Sequence, residues 1–305
     1  MRTLNAAVLA CLLFAPGVAL AHLGQEHDAT PAWIADWWLS ALLAASALAY
    51  AAGLARLRRA GKAGVIGRWR AQAFAAGMLV LVVALLSPLD AMAEHSFAAH
   101  MTQHLLLMLV APPLLVHAAP VLAWTWSLPP ARRQALTRRW AGNAAPRRLL
   151  QVLLHPLLVW GAASFVLWFW HLPGPYLRAL ADEGVHTLEH ACFFLTSLAL
   201  FYLLFAPRGR ARLGFGGALL LGVGFGIENG FLGAILTFSQ RPFYVPAGLP
   251  EAAMQAALQD QQLAGLIMWV PASIVHLGLL GLLCMEWLRD EERRHAPAIS
   301  RYKNG

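Results

Sequence analysis

The chain alternates long apolar stretches with short polar ones. After an apolar run near the N-terminus, seven longer stretches carry at most one acidic or basic side chain each. A helix of about 20 apolar residues is long enough to cross the hydrocarbon core of a bilayer. The stretches are residues 33–54, 72–88, 98–121, 149–170, 185–205, 215–239 and 262–287. The pattern predicts an all-α, polytopic membrane bundle of seven transmembrane helices in one domain, residues 33–288.

The segment from Met1 to Ala21 has the pattern of a secretory signal peptide. Arg2 precedes the apolar run, and Ala19 and Ala21 form the small-residue site after which cleavage is expected. The alternative is an uncleaved first helix, although the run is short for a span. Cleavage would leave residues 22–32 as a periplasmic segment, with His22 and His27 as an auxiliary metal site.

Composition supports the membrane class and excludes an ordinary water-soluble domain. Hydrophobic residues make up 59% of the chain, charged residues 12%, and the mean hydropathy is +0.57, whereas soluble domains carry about 25% charged residues. The net charge of +8 does not indicate nucleic-acid binding, because the basic residues form short clusters between apolar stretches.

The basic clusters predict the orientation. Twenty of the 23 Lys and Arg residues lie in alternate loops and in the tail, residues 289–305, whereas the opposite loops hold only Arg178 and Arg241. Because cytoplasmic loops are enriched in Lys and Arg, we expect a bacterial inner-membrane protein with a periplasmic N-terminus and a cytoplasmic C-terminus.

The twelve histidines carry the candidate chemistry. His100 and His104 on the third span, and His186 and His190 on the fifth, are each four residues apart, so each pair lies on one helix face. Both pairs lie within the first two turns from the outer end, which predicts that they meet at one depth. The predicted metal ligands are His95, His100, His104, His171, His186 and His190, with Met101 and Met108 beside them.

These residue types favour a copper or haem site. Imidazole suits copper, zinc and iron, and thioether sulfur adds a preference for Cu(I). A single histidine near a helix end more often bonds a neighbouring helix, and the two methionines alone would be typical of core packing. Two pairs at one depth favour metal binding. His117, His155 and His295 are expected to be structural or solvated.

Four further polar residues are assigned to the membrane region: Glu228, Glu189, His276 and Asp260. A carboxyl group in a span must be neutral, paired or in a cavity. Glu228 is therefore either functional or hydrogen-bonded to a neighbouring helix from its glycine-rich stretch, with His276 as a candidate partner. Without metal, the buried histidine rings are expected to stay neutral or to bond Glu189. The hydrolytic motifs HExxH and GxSxG and the Walker loop are absent from the sequence, so no enzyme is expected.

Several segments resemble a known family. The run FAAHMTQHLLLMLVAPPLLVHAAP from Phe97 to Pro120 resembles the signature of the CtaG family of bacterial cytochrome c oxidase assembly factors. WHLPGPYLRAL from Trp170, HTLEH from His186 and DQQLAGLIMWVP from Asp260 resemble later blocks in the same order. The resemblance implies a seven-span protein that supplies copper to the oxidase subunit carrying the copper site.

Three functions stay open on the sequence. They are a metallochaperone or assembly factor, a copper transporter, and a haem-binding membrane electron-transfer protein. A transporter would carry polar ligands through the whole bilayer, whereas these concentrate in the outer half, which favours copper capture. The sequence does not choose between delivery and scaffolding.

Overall fold

The protein is described by a computed structural model over residues 37–205, 213–245 and 250–302, with side chains up to residue 292. These residues form helices and short connections without a strand. The helices are α1 (Trp37–Arg59), α2 (Arg68–Leu86), α3 (Pro88–Ala93), α4 (Phe97–Leu105), α5 (Ala111–Ala118), α6 (Pro120–Ser127), α7 (Pro130–Gly142), α8 (Ala144–Leu153), α9 (Pro156–Trp170), α10 (Pro173–Ala181), α11 (Glu183–Phe205), α12 (Phe215–Phe238) and α13 (Glu251–Tyr302). The predicted all-α membrane class is confirmed.

Six of the described helical segments are long and apolar enough to cross a membrane. They are α1, α2, the continuous run from α4 through α5, α11, α12 and α13. A seventh span is obtained when α8 and α9, which meet at an angle of 55°, are counted as one broken span. The bend follows from Pro156, because proline cannot donate a helical hydrogen bond and disfavours helix at the residue before it.

The third span departs from a regular helix where the sequence has two adjacent prolines. Residues Leu106–Val110 form a π-helical turn between α4 and α5. Pro112 and Pro113 have no N–H group, so the carbonyls of Met108 and Leu109 cannot accept their usual helical bonds. The span ends at Ala119, which has a left-handed backbone (φ 49°), rather than at residue 121 as predicted.

The last helix is much longer than the apolar stretch that predicted it. The stretch covers residues 262–287, whereas α13 runs from Glu251 to Tyr302. Hydropathy marks the part of a helix that lies in lipid and not its ends. The predicted tail at residues 289–305 therefore begins as a continuation of this helix.

Two apolar clusters hold the bundle together. The larger one joins the third span to α9, α11, α12 and α13, with Phe193, Phe201 and Phe225 almost fully buried at its centre. The smaller one joins α1 and α2 to α5 and α6, where the rings of Tyr50 and Phe74 stack at 3.8 Å. The predicted signal peptide and the auxiliary ligands His22 and His27 lie outside the described residues.

Candidate metal centre

A carboxylate from another helix fixes the start of α4. The Asp260 side chain on α13 accepts hydrogen bonds from the backbone N–H groups of Phe97 (2.6 Å) and Ala98 (3.1 Å), and from the Ser96 hydroxyl (3.0 Å). The Ser96 oxygen in turn accepts from the N–H group of Ala99. The first three N–H groups of a helix have no partner within it, and here all three are satisfied. These hydrogen bonds therefore fix where α4 begins, and with it the position of each residue along the helix.

The start of α11 is fixed in the same way by Asp182, whose carboxylate accepts a hydrogen bond from the N–H group of Val185 at 3.1 Å. His186 and His190 lie four and eight residues after Asp182, as His100 and His104 do after Ser96. Equal spacing from the two caps places the two histidine pairs at matching helical positions. We call the end of the bundle where both helices begin the cap end.

The four imidazole rings form two facing pairs between α4 and α11, which we call rungs: His100 with His186, and His104 with His190. The ring centres of His100 and His186 are 5.2 Å apart and those of His104 and His190 are 5.3 Å apart. Along each helix the separations are 4.3 Å and 4.2 Å. His186 is half-buried and the other three rings are buried. We refer to these four residues as the histidine cluster.

Glu189 joins the histidine cluster from α11. Its carboxylate is fully buried, with one oxygen 3.5 Å from Nε2 of His100 and the other 3.8 Å from Nε2 of His104. The sequence predicts that Glu189 bonds the histidine rings, and the structure places it beside both residues of the α4 pair at distances longer than a normal hydrogen bond.

Many polar atoms of the histidine cluster lack a hydrogen-bond partner within the described chain. The atoms concerned are both ring nitrogens of His100 and His104, Nε2 of His186 and His190, and both carboxylate oxygens of Glu189. Buried polar atoms in proteins are nearly always hydrogen-bonded. This concentration of unpaired lone pairs is the arrangement expected of a site that holds a ligand.

Two combinations of these side chains have the spacing of a metal site. One ligand atom from each of His100, His104 and His190 lies within 4.8 Å of the others, and the same holds for His100, His186 and Glu189. Imidazole and carboxylate together suit divalent transition metals, and imidazole alone suits copper in either oxidation state or zinc. His100 belongs to both combinations.

Aromatic rings cover His100. The ring of Tyr176 on α10 lies 5.3 Å from that of His100, and Phe97 and Tyr244 pack against Tyr176 at 5.0 and 4.6 Å. The Tyr244 hydroxyl donates a hydrogen bond to the carbonyl of His171 at 2.9 Å. Burial raises the pKa of both tyrosines above the ordinary value of 10, so these phenols are neutral at physiological pH.

A small cavity lies next to the histidine cluster. Its volume is about 20 Å³, enough for about one water molecule or ion. The lining residues are Met101, His104, Leu105, Met108, Leu109, His171, Asn229, Met268 and Ala272. His171, at the end of α9, directs its Nε2 atom toward the Met101 sulfur at 3.4 Å. Met101, Met108 and His171 thus lie around this cavity.

Three other candidate residues lie apart from the cluster. His95 is exposed, and its Nδ1 atom lies 3.3 Å from the Ala91 carbonyl oxygen one turn earlier. The Nδ1 atom of His276 lies 3.1 Å from the carbonyl oxygen of Ala272, with the ring against Phe225. One carboxylate oxygen of Glu228 is buried without a hydrogen-bond partner in the described chain. No hydrogen bond joins Glu228 to His276 among the described residues.

Sequence reasoning missed what α13 contributes. Met268 completes the cavity, and Asp260 caps α4 instead of acting as an isolated intramembrane acid. Met268 and Asp260 are far along the chain from the third-span residues that they contact. A local sequence motif therefore could not predict these contacts. Tyr176 lies within the block that resembles the family, and only the fold shows that its ring covers His100.

Comparison with known proteins agrees with the segments noted in the sequence. The model of one family, described as cytochrome c oxidase caa3 assembly factor (Caa3_CtaG), matches residues 48–290. Comparisons with curated proteins and with solved structures found no match. The family match covers about four fifths of the chain and contains the histidine cluster, Glu189 and all the cavity residues. The chain belongs to the family of cytochrome c oxidase caa3 assembly factors.

Proposed function

We propose that this membrane assembly factor binds copper at the histidine cluster and supplies it to the copper-carrying subunit of a haem-copper oxidase. The observation that carries the proposal is the pair of imidazole rungs, 5.2 and 5.3 Å between ring centres, in which six of the eight ring nitrogens are buried without a hydrogen-bond partner among the described residues. Neutral imidazoles with free lone pairs are copper ligands. A role in oxidase assembly accounts for why the metal would be copper.

The arrangement of the site favours capture from one side. His186 is half-buried and His100 is fully buried, so an ion arriving at the cap end meets His186 before His100. The loops that hold most of the basic residues are at the other end of the bundle. By the positive-inside rule the cap end is periplasmic, the side from which copper would be collected.

The orientation is tested with reporter fusions. Fusions near Arg138 and after Lys303 are expected to report the cytoplasm, and a fusion at Pro250 is expected to report the periplasm. A periplasmic C-terminus would contradict the proposed direction of capture without changing the site itself.

Haem binding fits the same residues less well. The adjoining cavity has room for about one water molecule, and the facing rings of the cluster are only 5.2 and 5.3 Å apart. A porphyrin could not lie between α4 and α11 unless the two helices moved apart. A transporter would need ligands through the full depth of the bundle, whereas the clustered ones lie in the first two turns from the cap end.

The direct test compares buried and exposed histidines. His104→Asn and His190→Asn are expected to abolish Cu(II) retention at the histidine cluster of the purified protein and to lower oxidase activity in cells that express it at normal levels. His117→Asn and His155→Asn are matched controls, because both side chains are exposed and away from the cluster. Normal copper content and normal oxidase activity in the two cluster variants would leave a scaffold for oxidase subunits as the function.

A further inference from the structure

The cavity beside the histidine cluster has a ligand set different from that of the cluster. Three thioethers line it, from Met101 and Met108 on the third span and from Met268 on α13. Two imidazoles line it as well, those of His104 and His171. None of these five side chains is more than 7% exposed. Three of the eight methionines in the chain thus meet at one point.

The hydrogen bonding of His171 shows which of its nitrogens is free. Its Nδ1 atom lies 2.6 Å from the carbonyl oxygen of Leu167. A carbonyl oxygen only accepts, so Nδ1 carries the proton and Nε2 carries a lone pair. A backbone carbonyl that holds one nitrogen of a ring in this way is the usual supporting partner of a metal-binding histidine.

The free nitrogen of His171 faces a second electron-pair donor. Its Nε2 atom lies 3.4 Å from the sulfur of Met101, with no proton between them. In a tetrahedral site, bond lengths of about 2.0 Å to nitrogen and about 2.3 Å to sulfur place the two ligand atoms about 3.5 Å apart. The observed separation therefore has the size expected for two ligands of one ion.

The oxidation state follows from the ligand type. Thioether sulfur is a soft ligand that selects Cu(I), whereas carboxylate suits harder ions and imidazole accepts several metals. The cavity has three thioethers and no carboxylate in its lining, in contrast to the histidine cluster with Glu189. His104 belongs to both ligand sets, so an ion can pass between them by exchanging ligands.

We propose that the cavity lined by Met101, Met108, Met268 and His171 is a second metal site, selective for Cu(I), that exchanges copper with the histidine cluster through His104. This inference rests on the proposed function, because it takes the histidine cluster as the source of the ion. The metal would enter as Cu(I), and no electron transfer is involved.

The test is an anaerobic titration of the full-length protein in detergent with Cu(I), in competition with a cuprous chelator. X-ray absorption of the loaded protein reports the ligand atoms. The wild type is expected to show sulfur and nitrogen ligands. Met101→Leu combined with Met268→Leu keeps the apolar volume, leaves Met108 as the one remaining thioether, and is expected to reduce the sulfur signal and to weaken Cu(I) binding by about ten- to a hundredfold. Met78→Leu, at a partly buried methionine of the smaller apolar cluster, is the control.

Zn(II) binding separates the two sites, because zinc does not favour thioether ligands. The methionine variant is expected to bind Zn(II) as the wild type does, whereas His190→Asn is expected to lose Zn(II) and to keep the sulfur-ligated Cu(I). A wild-type Cu(I) spectrum with nitrogen ligands alone, or unchanged Cu(I) affinity in the methionine variant, would overturn the second site and leave the cluster intact. A wild type that binds neither Zn(II) nor Cu(II) at the cluster would overturn the proposed function, whatever the cavity binds.

Discussion

Two groups of polar atoms lie within two turns of each other at the cap end, one partly buried and hydrogen-bonded, the other mostly buried and largely without hydrogen bonds. Every oxygen of the Asp260 carboxylate accepts a hydrogen bond, and the three N–H groups at the start of α4 are all satisfied. In the histidine cluster, one turn further, six of the eight ring nitrogens and both Glu189 oxygens have no hydrogen-bond partners within the described chain.

The difference separates a structural polar group from a functional one. Removing a satisfied group from the protein interior costs stability, because its partners are left without bonds. Removing an unsatisfied group costs the folded chain little, because its burial was already unfavourable. Substitutions in the two regions should therefore affect stability and metal binding in opposite ways.

The largest effect on stability is expected at the cap. Asp260→Ala leaves two backbone N–H groups and the Ser96 hydroxyl without their acceptor, and we expect the free energy of unfolding to fall by about 2–4 kcal/mol. Denaturant titration of the purified protein in detergent measures the change. Asp260→Asn keeps one acceptor oxygen and should lose about half as much. A loss in the alanine variant below about 0.5 kcal/mol, the lower end of what one hydrogen bond contributes, would show that solvent satisfies this helix start.

The second effect should have the opposite sign. His104→Leu replaces an unpaired ring by an apolar side chain of similar size, so the metal-free protein should be unchanged or more stable by about 1 kcal/mol. Saturating copper should stabilise the wild type by about 2.7 kcal/mol when its free concentration is a hundred times the dissociation constant. The variant should gain almost nothing from Cu(II), which the thioethers of the cavity do not select. If the metal-free variant lost more than about 2 kcal/mol, as when buried partners are left unpaired, His104 would belong with the structural groups.

The smallest effect is expected at Glu189. Glu189→Gln keeps the size of the side chain and replaces the carboxyl group beside His100 and His104 by an amide. We expect copper affinity to fall about tenfold, the range found for partners that support metal ligands, with stability unchanged. Competition with a chelator at constant pH measures the affinity. Equal affinities would mean that Glu189 neither binds nor orients the metal.

The sequence predicts the fold and the proximity of the two histidine pairs, for reasons that particular residues make clear. Hydropathy locates the membrane helices because a span needs about 20 consecutive apolar residues. The four-residue spacing of His100 and His104 places both on one helix face, wherever the helix begins and ends. Hydropathy does not detect the bend at Pro156, the left-handed break at Ala119 or the extension of α13. The bend and the break depend on the backbone at single positions, and the extension of α13 lies outside the apolar stretch.

The remainder of the site depends on contacts between distant segments. Met268 reaches the cavity, and Asp260 reaches α4, only because α13 packs beside the third span. The residues around Met268 and Asp260 in the sequence do not indicate that one lines the cavity and the other caps α4. His95 shows the converse, since it precedes the α4 pair in sequence and is nevertheless exposed.

The matched caps have a consequence for how the protein responds to its membrane. Helices accommodate a thicker or thinner bilayer by tilting, kinking or deforming the lipid around them. The positions of the two histidine pairs are fixed relative to the caps at Ser96 and Asp182, at one end of parallel helices, and not relative to the lipid surface. Adjustments made at the opposite ends would leave the rungs in register, so we expect the geometry offered to an ion to change little with lipid composition.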